Sequence, residues 1–196
     1  MQVLPNVGRL EKSRELSDEL LEVQPEPGAR AAYARALHAQ LLGYAVTGAH
    51  ARSRETLDFI ARLGPEVLES DVAARGNASL WRAVYTFILT TDIELALSLS
   101  RRAIVDLTQS QVLYRLSFAH ILQSFIYWGL GDLDESERAA RAGRALARRI
   151  NDGYHDALGA WYLSLALSEQ GEVDKLAEAE QCAWELQKCA DNPVFD

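Results

Sequence analysis

A short marker recurs along this chain about every forty residues, and that repetition restricts the fold more than any other feature. Gly131-Asp132-Leu133-Asp134-Glu135 is echoed by Gly171-Glu172-Val173-Asp174-Lys175. Working backwards gives Thr91-Asp92-Ile93, then Gly48-Ala49-His50, then Gly8-Arg9-Leu10. The markers therefore start at 8, 48, 91, 131 and 171, with spacings of 40, 43, 40 and 40. Repeats of this length are supersecondary units that bury their apolar faces on their neighbours. Glycine tolerates the positive φ that ends a helix. The Asp or Glu after it caps the next helix and suits its positive end. Asp132 with Glu135 three residues on has the form of a capping box. The marker is thus a tight turn between two antiparallel helices.

Other positions keep step with it. Four residues before the marker stand Leu4, Tyr44, Phe87, Tyr127 and Leu167, all large. Five residues after it come Ser13, Ser53, Ala96, Ser136 and Leu176, and twelve after it Leu20, Ile60, Ala103, Gly143 and Ala183. Large residues set against small ones at fixed offsets let helix axes approach to about 8–10 Å. The expected fold is all-α: a half repeat at 1–28, then helix pairs at about 29–64, 77–107, 113–149 and 154–189, in one domain spanning 1–196. Pro25-Glu26-Pro27-Gly28 breaks the first unit from the second, Gly64 to Gly76 lengthens one connection, and Asp191 to Asp196 frays. A start in mid-repeat predicts a segment of a larger protein, or an end that pairs with another copy.

This pattern resembles the tetratricopeptide repeat family over nearly the whole chain. The family places an aromatic residue four before the turn glycine, a small residue five after it and a proline seventeen after it. The proline falls on Pro25 and Pro65, while Thr108, Arg148 and Lys188 stand at the other three places. The period exceeds the family's usual 34 residues, as in solenoids similar to the sensor regions of bacterial ATPase-type transcription regulators. The resemblance implies a right-handed α-α superhelix whose first helices line a concave groove. Partner-facing positions would include His38, Trp81, Tyr85, Phe125, Trp128 and Trp161, with Trp128 and Trp161 the most exposed. The alternative for such an aromatic stripe is ordinary core packing. The family's carboxylate clamp needs Lys and Asn where this chain has His38, Leu42, Trp81 and Tyr85, so that mode is not expected.

Composition narrows the function. The net charge of −8 repels phosphate backbones, which argues against direct nucleic-acid binding. No signal peptide or apolar run of about 20 residues is present, so neither export nor a membrane span is expected. Cys182 and Cys189 sit seven apart on a helix, about 10 Å between α-carbons, too far for a disulfide. Reduced thiols suit a cytoplasmic protein. Phosphate-binding, zinc-peptidase and nucleophile-elbow motifs are missing, and His38, His50, His120 and His155 lack metal-ligand spacing. The chain reads as a non-enzyme without cofactor or metal. It would bind a protein or peptide as a regulatory or sensor segment; the alternatives are a small-molecule effector domain or a self-assembling scaffold. A basic stripe of Arg138, Arg141, Arg144, Arg148 and Arg149 offers a charged contact, with the acidic last repeat of another copy as a candidate partner.

Overall fold

A computed structural model describes residues 18–23, 25–30, 32–34, 36–37, 41, 44, 49–62, 71–90 and 92–190. Among them there is no strand. Residues 18–22 and the described residues within 30–44 are helical; beyond them and a 3-10 turn at Pro27–Ala29 come α1 (His50–Arg62), α2 (Val72–Thr90), α3 (Ile93–Ser110), α4 (Leu113–Leu130), α5 (Leu133–Arg149), α6 (Gly153–Gln170) and α7 (Val173–Ala190). Most of the expected half repeat, the 63–70 connection and the 191–196 tail lie outside the described residues, as does His38.

At the markers that the described residues cover, Gly131 and Gly171, and at Asp92 beside a third, the expected turns form. Gly131 and Gly171 end α4 and α6 with φ of 76° and 72°, the left-handed region that glycine enters without a Cβ clash. Asp92 and Asp132 then accept the backbone N–H of Leu95 (3.0 Å) and Glu135 (3.3 Å), satisfying orphan donors at the starts of α3 and α5. The Glu135 carboxylate turns to Arg138.

One boundary differs. The pair expected from 77 begins at Val72, because Asp71 caps α2 by accepting the Ala74 N–H at 3.0 Å. Gly76, which the sequence suggested as the end of a loop, lies inside that helix. A Cβ there would stand 2.9 Å from Leu107 Cγ, so the glycine serves the close approach of α3.

Packing runs from neighbour to neighbour. Every consecutive pair from α2 to α7 is in contact, and the first helices α2, α4 and α6 also touch in series. The second helices α3, α5 and α7 make no comparable backbone approach. Between α5 and α7 the gap is spanned by long side chains: Arg141 to Glu178 (2.6 Å), Lys175 to Glu137 (3.3 Å) and Arg144 to Glu185. Within a pair, small residues bring the axes together. Ser124 and Ser136, both fully buried, bond at 3.1 Å, and the Ser117 hydroxyl donates to the Gly143 carbonyl at 2.9 Å. The buried apolar residues form successive clusters rather than one centre. One joins α2, α3 and α4 around Trp81, Leu107 and Ile126, and another joins α5, α6 and α7 around Leu163, Leu167 and Cys182.

Candidate functional site: the aromatic side of the first helices

Aromatic rings from α2, α4 and α6 meet on one side of the stack. Phe87 meets Phe125 edge-on with centroids 4.9 Å apart. Phe125 stacks on Trp128 (5.8 Å) and on Tyr162 (4.7 Å), and Tyr162 stacks on Trp161 (5.2 Å). The row runs from half-buried to open: Phe87, Phe125, Trp128 and Tyr162 are half-buried, whereas Trp161 is 48% exposed. The Trp128 indole N–H donates to Glu169 at 2.9 Å, which fixes that ring across α4 and α6. Burial pushes the Tyr162 hydroxyl up to about 12, so it stays protonated and uncharged in the row.

Two of the expected partner-facing residues are corrected. Trp81 is fully buried and Tyr85 is 5% exposed, so both are core. The Tyr85 hydroxyl donates to the Leu41 carbonyl (3.3 Å) and bonds Ser53, while Trp81 packs against Phe118 and under Arg115 of α4.

A second aromatic group lies near the N-terminal ends of α4 and α6. His155 stacks on Phe118 (5.4 Å) and meets Tyr114 (4.5 Å) and Tyr154 (5.3 Å). Its Nδ1 is 2.6 Å from Asp152, whose other oxygen accepts the His155 backbone N–H at 3.1 Å. Burial works to raise the Asp152 carboxyl, but the bonds from His155 outweigh it and hold the group below its ordinary value. At 6% and 1% exposure, this Asp–His pair is closed to any substrate and acts as a latch at the start of α6. Sequence reasoning treated His155 as an isolated histidine. The Asp–x–x–His spacing at a helix start was the available signal.

Arg115 belongs to the same end. Its guanidinium lies over the rings of Trp81 (5.7 Å) and Tyr114 (5.3 Å). Burial lowers its pKa, with only the Tyr114 hydroxyl acting the other way, and no carboxylate among the described residues pairs with it.

The basic stripe is corrected as an intermolecular contact. Arg141 pairs with Glu137 and Glu178, Arg148 with Asp156 and Glu185, and Arg138 with Glu135. The acidic last repeat that supplies Glu178 and Glu185 is this chain's own. Among the described residues no helix is long and apolar enough to cross a membrane, and no three His, Cys, Asp or Glu side chains gather as a metal site would require. Comparison with protein-family models gives no match, and comparison with curated proteins gives none.

Proposed function

We propose that the chain is a tetratricopeptide-like, right-handed solenoid and works as a protein-interaction module. In that reading it is a cytoplasmic regulatory or sensor segment of a larger bacterial-type signalling or transcription-regulating protein. Two features support the architecture. First helices approach one another while, among the described residues, the second helices α5 and α7 are bridged by long side chains, a difference in spacing that curves a stack towards its first helices. Successive apolar clusters, each shared by adjoining helices, are what a quasi-linear array builds.

The observation that carries the binding role is the stacked row from Phe87 to Trp161. An aromatic row graded from half-buried to 48% exposed presents a pre-formed apolar anchor beside polar surface. Trp and Tyr are the side chains that most often supply binding energy at interfaces. An extended or helical peptide segment would desolvate Trp161 against the row, and no ordering of the receptor is needed. The cis pairing of Arg141, Arg144 and Arg148 weakens one of the two features that favoured a self-assembling scaffold, the charge asymmetry.

The test is a displayed-peptide selection on the immobilised chain, with the winners measured against Trp161→Ala. The expected result is unchanged far-ultraviolet circular dichroism with affinity lower by about tenfold or more. Winners that bind the variant as well as the wild type would refute the assignment.

A further inference from the structure

Arg115 stands apart from the other half-buried or buried arginines of α2 to α6. Arg75 reaches Asp106 through two bonds of 2.9 and 2.8 Å, and Arg144 reaches Asp156 (2.8 Å) and Glu185. Arg115 has ring faces and no carboxylate among the described residues, in a chain where acidic residues outnumber basic ones by 28 to 20. Arg115 is half-buried, and a cation drawn even partly out of water without a counter-charge is disfavoured and is normally found paired.

Its place in the helix adds to that cost. Arg115 lies in the first turn of α4, where the backbone dipole already presents positive charge. The four neighbouring helices α2, α3, α5 and α6 each begin with an aspartate that accepts a first-turn N–H: Asp71, Asp92, Asp132 and Asp152. α4 begins with Val112, which has no side-chain acceptor to offer. Behind the guanidinium, the Trp81 indole N–H is buried and has no hydrogen-bond partner. An unpaired cation and a helix start without a side-chain cap therefore adjoin at the N-terminal end of α4, and the ring the cation lies over carries an unused donor.

A guanidinium lying on aromatic faces keeps its N–H donors in the plane of the group, the geometry that receives a carboxylate through two parallel bonds. Arg115 lies one turn before Phe118, on the side of α4 that continues to Phe125, and the row reaches Trp128 about 20 Å along the helix. We propose that Arg115 is the anion-receiving end of the aromatic surface and binds a single Asp or Glu carboxylate of an otherwise apolar partner segment. A polyanion is disfavoured because the whole chain carries −8. The assignment rests on the reading of the first helices as the binding side, and it adds the charge and direction of the ligand.

The test uses the nitrogen-15-labelled chain and the Trp81 indole N–H resonance as the local reporter. The probes are the peptide acetyl-Glu-Ala-Leu-Ala-Phe-amide, its Gln twin and inorganic phosphate. The expected result is a saturable shift with the Glu peptide, about tenfold or more weaker binding of the Gln twin, and no difference between them in Arg115→Gln. Retention of the Glu preference in Arg115→Gln, or no binding of the Glu peptide, would overturn the proposal. Phosphate moving the same resonance at the same concentration would also overturn it, making the site a bare anion trap. If the twins bind equally and both are lost in Trp161→Ala, the binding surface stands and only the role of Arg115 falls.

Discussion

At the scale of single residues, Arg144 shows how much depends on what a charge meets. It is 7% exposed, donates to Asp156 and Glu185, and lies 3.3 Å from the Cys182 sulfur. Its stem also covers Gly159, where an added Cβ would stand 2.6 Å from Arg144 Cγ. Truncation removes packing and leaves Arg148 as the remaining partner of Asp156 and Glu185. Arg144→Ala is expected to destabilise the chain by about 2–3 kcal/mol, measured by denaturant unfolding. A loss below about 1 kcal/mol would mean that the network is a solvated surface feature. The sequence placed these arginines on one helical side and pointed to the acidic last repeat, but assigned it to another copy rather than to this chain. The α7 carboxylates they meet, Glu178 and Glu185, lie 37 to 41 positions away, a distance that becomes contact only when α7 folds back beside α5.

At the scale of elements, the fixed offsets around each marker carried most of the legible information. Ser53, Ala96 and Ser136, each five after a marker, are all fully buried, and Gly143, twelve after its marker, is buried between helices. The same offsets in α7, Leu176 and Ala183, are exposed, since no later described helix lies against them. Gly143 is the tightest of these contacts. A Cβ there would lie 2.6 Å from Ile121 Cγ1 and 3.1 Å from the Ser117 carbonyl oxygen, and backbone cannot yield as a flexible side chain can. Gly143→Ala is therefore expected to lower stability by about 1–3 kcal/mol, against the gain alanine gives in an open helix. Thermal unfolding checks the sign, and a rise in midpoint would contradict the close α4–α5 approach. The start of α2 was less legible because Gly76 resembles a loop glycine until its contact with Leu107 is seen. The aromatic row was half legible: the positions that the resemblance implied include Phe125, Trp128 and Trp161, which share the row, but Trp81 is packed against Phe118 and Arg115 of α4 and the Tyr85 hydroxyl is held by residues more than thirty positions upstream.

At the scale of the whole molecule, cross-chain carboxylates tie the stack to pH. Hydrogen bonds from Arg141 hold the Glu178 carboxyl below its ordinary value. For Glu137 burial pulls upward, but bonds from Arg141, Gln170 and Lys175 prevail and lower it, as His155 does for Asp152. A carboxyl depressed in the folded state contributes stability that is whole above its unfolded pKa and lost as pH falls through the folded one. The unfolded values are 4.5 for Glu and 3.8 for Asp. The thermal midpoint is expected to hold between about pH 5.5 and 7.5 and then to fall by about 5 °C or more by pH 3.5. A midpoint unchanged at pH 3.5 would show that these bonds contribute little.

The central claim is that one side of the stack, the side of the first helices, is the working surface. Trp161 and Trp184 provide a matched pair for it, 48% and 54% exposed, one on a first helix and one on a second. The decisive measurement is the affinity of a selected peptide for Trp161→Ala and for Trp184→Ala, each with helicity verified. The account predicts that the first variant loses about tenfold or more in affinity while the second stays within about twofold of wild type. Equal losses, or a loss confined to Trp184→Ala, would contradict it.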